Sequence, residues 1–423
     1  MIFTLSDGTR AELLLPPAAD LLTQDPGTIP VPERLITDGW LTPVTTQLLH
    51  LLDHADPHAL ATASHTVPGH TQLLLAHAHQ DQPALHLCLP DGTPTPPRAA
   101  DHTALLFPLT GTLDLALSRH QDDADQRRPQ YLRSLNPGQL CAIHTGATTE
   151  LTAPAHSVQL VLTHHPLAAP DSRPLTPAEY QVAVKEARTR LSRPEPHDCR
   201  RPGTSLQDIP YLHHATLAQL HAQQDALHHL AVHKSTLSYL TTTAVLDYER
   251  FEASRTTLLL DRVVLALDTW RGFEIRLNTN PRPANQRLPH THGYAFGARV
   301  LTGGYLHTVS TRTDGRDTGP FTADQLCPAV TTTELPGSSY TLGTALAHQA
   351  LMRPDTTTLM LRGPYTATAH AATDLIPPVD SWPRPADGAP PVHSRPMTDA
   401  EHHALYQALA ADGVIEPLPR GNR

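Results

Sequence analysis

Two histidines separated by a single residue, His290 and His292, precede an apolar run that is typical of a strand and ends at Gly303-Gly304. On a strand, residues i and i+2 project to the same face, so both imidazoles could reach one metal ion. A third histidine, His348, lies before Thr356–Pro364, whose threonine and leucine content favours another strand. Three neutral nitrogen ligands on adjacent strands would leave open positions on the metal for a substrate or for oxygen.

This order of residues resembles the two metal-binding motifs of the cupin superfamily, in particular those of three-histidine iron enzymes such as the thiol dioxygenases. The resemblance covers residues 270–370, about a quarter of the chain. In the common cupin pattern a glutamate follows the His-x-His pair by four or five residues, but this chain has Phe296 and Gly297 there. The resemblance therefore implies a three-histidine site with Fe(II) as its cofactor and the ligands His290, His292 and His348.

Two alternatives to that ligand set remain open at this point. Another metal could take the place of iron, and Glu334 is a nearby carboxylate that could reach into such a barrel, although it ranks below His348. The chain also holds 29 histidines, so a lone His-x-His pair would be expected by chance. The combined order of the pair, Gly303-Gly304, Pro336-Gly337 and His348 favours a metal site.

A short alternating segment just before the metal motif supplies candidate substrate-contacting residues. Phe273–Asn278 predicts a strand with Glu274, Arg276 and Asn278 on one face. If that face lines the barrel, Arg276 could bind a carboxylate or phosphate through both arms of its guanidinium. The alternative is that the face points to solvent. Four further candidates lie on or beside the ligand strands: Tyr294, Arg299, Tyr340 and Arg362.

Length and composition limit the classes of protein to consider. A chain of 423 residues is expected to form two or three domains. A formal charge of -10 without any Lys/Arg run argues against nucleic acid as a partner. No long apolar run and no amino-terminal leader pattern are present, so we expect neither membrane spanning nor secretion. The four cysteines are widely spaced, which favours reduced thiols in a cytoplasmic protein.

The predicted fold is mainly β, with two cupin-like barrels of the double-stranded β-helix type joined by a helical connector. Residues 1–170 resemble a cupin or JmjC-like barrel, 171–250 form the connector, 251–375 form the metal-binding barrel, and 376–423 form a proline-rich tail with a terminal helix. The ligand histidines of the first barrel are missing, so we expect a metal-free barrel used for packing or for a homodimer. Its candidate ligands lack the spacing of a known set: Asp101, His102, His144, Glu150 and His156.

The resemblance implies an Fe(II)-dependent oxygenase that acts on a small metabolite with O2 and without 2-oxoglutarate. The bias toward proline, histidine and threonine resembles proteins of high-GC actinobacteria, in which cupins of this kind are often tailoring enzymes. A heteroaromatic, nucleoside-like or amino-acid-derived substrate from natural-product biosynthesis is therefore expected. Two alternatives stay open: a metal-dependent cupin isomerase or lyase that needs no oxygen, and a non-catalytic ligand-binding bicupin.

Overall fold

The protein is described by a computed structural model. It covers residues 2–4, 10–15, 39–77, 83–95, 98–118, 129–164, 172–192, 217–270, 272–280, 288–316, 318–385 and 390–417. Contacts divide the chain into two compact units, of which the first is mainly Met1–Arg128 and Arg133–Cys199 and also contains Pro328–Thr333. The second comprises Pro129–Leu132, Arg200–Cys327 and Glu334–Arg423. The predicted domain boundaries at residues 170, 250 and 375 stay predictions.

Antiparallel strands dominate the first half of the chain. They are β1 (Ile2–Thr4), β2 (Arg10–Glu12), β3 (His65–Val67), β4 (His70–Ala76), β5 (Ala84–Pro90), β6 (Arg98–Ala99), β7 (Ala104–Thr110), β8 (Leu113–Ser118), β9 (Pro129–Leu135), β10 (Cys141–Ile143), β11 (Thr148–Thr152), β12 (Val158–Thr163) and β13 (Arg173–Pro174). Neighbouring strands follow the orders β13-β3-β4-β5-β12-β7-β10 and β9-β8-β11-β6. The helices here are α1 (Leu41–Asp53), α2 (Pro57–Leu60) and α3 (Pro177–Ser192).

The second half of the chain repeats this arrangement after a group of helices. The helices are α4 (Leu217–Val232), α5 (Lys234–Thr243), α6 (Tyr248–Ala253) and, near the end, α7 (Asp399–Ala411). The strands are β14 (Arg255–Thr257), β15 (Asp261–Asp268), β16 (Phe273–Asn280), β17 (Phe296–Thr302), β18 (Tyr305–Arg312), β19 (Leu326–Glu334), β20 (Ser339–Leu342), β21 (Ala347–Met352), β22 (Thr356–Arg362) and β23 (Ser394–Pro396). Neighbouring strands follow the orders β23-β14-β15-β16-β22-β17-β20 and β19-β18-β21.

The two halves share one strand order. The order β5-β12-β7-β10 opposite β9-β8-β11 in the first half recurs as β16-β22-β17-β20 opposite β19-β18-β21 in the second. Such a repeat of antiparallel strands in two layers is the pattern of a jelly roll, in which two layers close around an interior. The predicted fold class, mainly β with two cupin-like barrels, is confirmed.

Several individual elements agree with the sequence. The segment predicted as a helical connector contains α3, and the predicted terminal helix is α7. The Glu179 backbone N–H donates to Thr176 Oγ1, while the Thr176 N–H donates to the Glu179 carboxylate. Thr398 and Glu401 form the same reciprocal cap on α7. The connector segment also contains α4 and α5.

Two helices in the first half, α1 and α2, were not predicted. Residues 1–170 were predicted to form a β-rich barrel, but α1 places Val44, Leu48 and Leu52 four residues apart on one buried face. This spacing is typical of an amphipathic helix. The prediction of a β-rich barrel for residues 1–170 did not include α1 and α2.

The core of the second unit sets which side chains face the site. Leu277 on β16 and Leu359 and Leu361 on β22 are buried in one apolar cluster, to which α4, α5 and α7 also contribute. Because side chains alternate along a strand, their neighbours Arg276, Asn278, Thr358 and Met360 point to the opposite face, where they line a cavity.

Two expectations from the sequence concerned membrane spanning and the state of the cysteines. Among the described residues, no helix is long and apolar enough to cross a membrane. Cys88 and Cys141 are buried and Cys327 is exposed, and all three are free thiols. Cys199 lies outside the described residues.

Candidate metal centre

At the site, the backbones of His290 and His348 pair with each other. The His290 N–H donates to the His348 carbonyl and the His348 N–H donates to the His290 carbonyl, both at 2.9 Å. His348 lies on β21, but His290 forms only a single-residue bridge, and β17 begins later, at Phe296. The prediction that His290 and His292 lie on a regular strand is therefore wrong.

A close approach of two loops explains why this segment is not a strand. The backbone N–H groups of Thr366 and Ala367 donate to the Gly293 carbonyl, and the Thr291 N–H donates to the His370 carbonyl. A Cβ at Gly293 would lie 2.3 Å from the Ala367 carbonyl oxygen, so only glycine fits there. Beyond the single pairing of His290 with β21, these contacts bind the segment to a loop, so it does not continue as a regular strand.

The three histidines nevertheless converge. The candidate ligand atoms of His290, His292 and His348 all lie within 4.8 Å of one another. The Nε2 atoms of His292 and His348 are 2.9 Å apart. Two imidazole nitrogens that bind one ion at right angles from about 2.1 Å would be about 3.0 Å apart. The spacing and the donor chemistry therefore fit a single metal ion.

In two of these imidazoles, a hydrogen bond at Nδ1 leaves Nε2 as the nitrogen that can bind the metal. His290 Nδ1 lies 3.0 Å from the Leu288 carbonyl oxygen, so it carries the proton and leaves Nε2 as the donor atom. His348 Nδ1 lies 2.9 Å from His307 Nε2. With His348 Nε2 as metal donor, its Nδ1–H donates to His307.

Behind His307 lies a buried carboxylate. His307 Nδ1 is 3.7 Å from Glu334 Oε1, and both side chains are fully buried. Partners of this kind orient a ligating imidazole and make it a stronger ligand. Glu334, which ranks below His348 as a ligand in the sequence, lies in the structure behind His307 and outside the three-histidine cluster.

Burial keeps the three imidazoles neutral. Burial lowers the pKa of His290, and the nearby His307 lowers it further despite the hydrogen bond to Leu288. Burial, with neighbouring histidines, holds the pKa of His292 and His348 well below the ordinary value. A neutral imidazole is the form that binds a metal ion, so no proton has to leave these side chains at pH 7.

A cavity of about 100 Å³ opens beside the histidines. Besides the three histidines, three of the predicted substrate-contacting residues line it: Arg276, Asn278 and Tyr340. The Arg276 guanidinium donates to Tyr294 Oη at 2.8 Å and to Glu274 Oε1 at 3.0 Å. The face of β16 that carries Glu274, Arg276 and Asn278 therefore points inward rather than to solvent.

Tyr294 and Arg362 lie next to the cavity. The Tyr294 ring is 5.1 Å from that of His292, and Arg362 packs over Tyr294 while pairing with Glu274 at 2.8 Å. Arg299 is the one candidate that the structure does not bring to the site. Phe296 and Ala298 line the cavity, so Arg299 points to the opposite face of β17 and donates to Ser339 Oγ.

Arg262, on β15, is a cavity residue that was not predicted. It pairs in register with Asn278 and lines the same cavity, and its Nε has no hydrogen-bond partner among the described residues. Burial, reinforced by Arg276, lowers the pKa of Arg262 to about 10, which still leaves it charged at pH 7. A lone arginine that opens the apolar run Val263–Leu267 was the available sequence signal.

The charges around this cavity do not balance. Three guanidinium groups belong to Arg262, Arg276 and Arg362, whereas Glu274 is the carboxylate that pairs with two of them. Burial raises the pKa of Glu274, but the three arginines together outweigh it and lower the pKa, so the group is ionised. The surplus positive charge is suited to an anionic ligand.

The candidate ligands of the first unit are not brought together. Asp101 and His102 are exposed beside a separate cavity, and His156 is exposed. His144 is buried against Thr331 Oγ1 at 2.9 Å, and burial lowers its pKa to about 4. Thr149 and Leu151 line that cavity, so Glu150 points to the other face of β11. Within the described ranges, the three-histidine cluster is the one group spaced for a metal.

Comparisons with known proteins give similarity to solved structures alone. No protein-family profile and no curated protein matches the chain. The chain is similar to an oxalate decarboxylase studied for its substrate binding mode and reaction specificity, at 12% identity and a TM-score of 0.21. A second, studied for proton-coupled electron transfer, gives 13% and 0.22, and Bacillus subtilis oxalate decarboxylase, studied for its Mn(II) centres, gives 12% and 0.21. Each match covers 72% of this chain and 76% of the other. Similarity of this degree does not indicate an activity, and the resemblance to thiol dioxygenases stays a prediction.

Proposed function

We propose that the second unit is a metal-dependent enzyme whose three-histidine site acts on a small anionic metabolite. One observation supports this most strongly: neutral imidazole donors lie beside a cavity with more guanidinium groups than carboxylates. A neutral ligand set leaves the charge of a bound ion uncompensated, and Arg262 adds to it. An anionic group of the substrate offsets both when it binds.

The chain's own residues have distinct tasks in this proposal. Arg262 binds the anionic group, and Asn278, whose Oδ1 has no hydrogen-bond partner among the described residues, accepts a hydrogen bond from the substrate. Glu274 holds Arg276, and Arg276 holds Tyr294 beside His292. Phe296 and Met360 supply apolar walls that exclude water. A divalent ion, when bound, would supply Lewis-acid chemistry or, as Fe(II), the activation of O2.

We propose an Fe(II)-dependent oxygenase as the first candidate reaction. Two histidines and a carboxylate are typical of iron sites that also bind 2-oxoglutarate, and in this chain Phe296 and Gly297 take the place of the carboxylate. We therefore expect a substrate that binds at the metal directly and supplies its own electrons. The enzyme would bind that metabolite and O2 and would not bind nucleic acid. We further propose that it acts in the cytoplasm and forms a homodimer.

A metal-dependent lyase or isomerase is the second candidate, and the size of the cavity favours it. About 100 Å³ corresponds to roughly three water molecules, which is little room for a substrate together with O2. A reaction that does not require O2 beside the substrate fits this volume more easily. Mn(II), Zn(II) or Ni(II) would serve such a reaction on the same donors.

Oxygen dependence separates the candidates. The protein is loaded with Fe(II), Mn(II), Zn(II) or Ni(II), and turnover of small mono- and dicarboxylates and amino acids is followed by mass spectrometry and an oxygen electrode. Oxygen uptake that needs Fe(II) and no 2-oxoglutarate supports the oxygenase. Anaerobic turnover supports the lyase or isomerase. Strict dependence on 2-oxoglutarate would contradict the first candidate, and anion binding without turnover under any condition would favour a non-catalytic module.

A further inference from the structure

The first unit contains a cavity that the metal centre does not use. Its volume is about 620 Å³, within the range of roughly 300 to 1,000 Å³ that is typical of small-molecule sites. Much of the wall is apolar, with contributions from Val67, Leu106, Leu113, Ile143 and Val161. The lining residues that the structure describes include no lysine and no arginine, in contrast to the cavity beside the three histidines.

A row of three polar side chains crosses the wall of this cavity. Gln72 on β4 and Gln159 on β12 both pair in register with Cys88 on the strand between them, β5. Residues directly opposite each other on adjacent strands point to the same face, and all three line the cavity. Since neighbouring strands lie about 4.8 Å apart, the two glutamine backbones are about 10 Å apart.

Both glutamines present a buried polar atom with nothing to bind. Gln72 is 6% and Gln159 is 5% exposed. Gln72 Oε1, an acceptor, and Gln159 Nε2, a donor, have no hydrogen-bond partner among the described residues. The Nε2 atom of Gln72 lies 2.8 Å from His70 Nε2, which fixes the orientation of that carboxamide. Buried polar groups are nearly always paired, so each such atom calls for an explanation.

A purely structural role does not explain this row. The neighbouring positions on these strands, such as Leu73 and Leu160, are apolar and fully buried, and leucine would fill the glutamine positions without an unpaired amide. The row is also uncharged, because burial raises the pKa of the Cys88 thiol to about 12. An acceptor and a donor held on one face of an apolar cavity are complementary to an amide edge.

We propose that this cavity binds a neutral, flat and mostly apolar molecule that carries an amide-like edge. The ligand N–H donates to Gln72 Oε1, and the ligand carbonyl accepts from Gln159 Nε2. Anionic ligands are disfavoured, because among the described residues no lysine or arginine lines the cavity and Asp101 does. The site is independent of the three-histidine centre.

The test uses the full-length protein and 2-quinolinone, a bicyclic lactam, as the probe in isothermal titration calorimetry. Quinoline lacks the N–H and the carbonyl, and quinoline-2-carboxylate carries a negative charge. We expect 2-quinolinone to bind at least tenfold more tightly than either. Equal binding of quinoline, tighter binding of the carboxylate, or no binding of 2-quinolinone would overturn the proposal.

Two variants test the glutamines themselves. Gln72→Leu and Gln159→Leu should each weaken 2-quinolinone binding at least tenfold, whereas Gln181→Leu, at an exposed position on α3, should leave it unchanged. The unliganded Gln159→Leu protein should unfold at the same or a higher temperature than the wild type, since it loses an unpaired buried amide. A lower unfolding temperature with unchanged binding would show a structural role and refute the site. Gln159→Met provides the same test should the leucine variant fail to fold. His348→Ala should bind the probe as the wild type does.

Discussion

Replacement of Arg262 by methionine should change stability and catalysis in opposite directions. Arg262 lines the metal cavity with an Nε that has no hydrogen-bond partner among the described residues. Burial, reinforced by Arg276, lowers its pKa to about 10. At about 1.4 kcal/mol for each pKa unit, this corresponds to about 3 kcal/mol that the free protein loses by holding the cation there.

Methionine removes that charge and keeps much of the side-chain volume. The Arg262→Met protein should therefore have a free energy of unfolding that is higher by about 1 to 3 kcal/mol, measured by urea denaturation. The same variant loses a buried contact to the anionic substrate, which is worth about 2 to 5 kcal/mol, so kcat/KM should fall at least about 30-fold. Arg299→Met is the matched control, since Arg299 points to the other face of β17, and it should retain kcat/KM.

Three results would contradict a role of Arg262 in binding the anion. Unchanged kcat/KM in Arg262→Met would show that the anion does not bind Arg262. A loss of stability in that variant would show that Arg262 has a structural partner. An equal loss of activity in Arg299→Met would show that activity depends on the overall positive charge of the second unit. It would not then depend specifically on Arg262 in the cavity.

The remaining predictions concern the supports of the metal site and the pH dependence of the fold. His307→Ala should lower metal affinity about 10- to 100-fold in a chelator competition, because His307 orients His348; an equal loss in His156→Ala, at an exposed position, would contradict this. Gly293→Ala should also lower metal affinity, because its Cβ would lie 2.3 Å from a carbonyl oxygen; wild-type affinity would show that the loop adjusts freely. His144 is neutral when folded, with a pKa of about 4 against about 6.5 when unfolded, so the unfolded state binds more protons between these values. The contribution of neutral His144 to the free energy of unfolding is complete above pH 6.5. It is lost as the pH falls to about 4, and the loss is up to about 3 kcal/mol. His144→Gln should therefore show a smaller drop in unfolding free energy over that range, and an unchanged drop would assign the dependence to other groups.

The convergence of His290 and His292 was predictable from the sequence, because the signal of this pair is local. His290 and His292 project together in any extended segment, and the strand after them, β17, ends at the predicted glycine turn. The irregular backbone of the pair was not predictable, because it depends on contacts with the loop around Ala367 and His370, far away in the chain. Spacing therefore identified the donors but not the element that holds them.

The face of each strand that points inward could be predicted only in part from the sequence. Alternation placed Glu274, Arg276 and Asn278 together, yet only the packing of Leu277 against helices makes their face the inner one. The same parity, counted from Phe296, turns Arg299 away from the site. Arg262 was missed because one arginine beside an aspartate at the start of an apolar strand is normally solvated.

Metal titration of the purified apoprotein, combined with elemental analysis, tests whether His290, His292 and His348 bind one metal ion. We predict about one divalent ion per chain, and loss of that ion in His292→Ala and in His348→Ala, while His156→Ala retains it. Folding of each variant is checked by circular dichroism. Stoichiometric binding that survives both ligand substitutions, or no binding by the folded wild-type protein, would contradict the account.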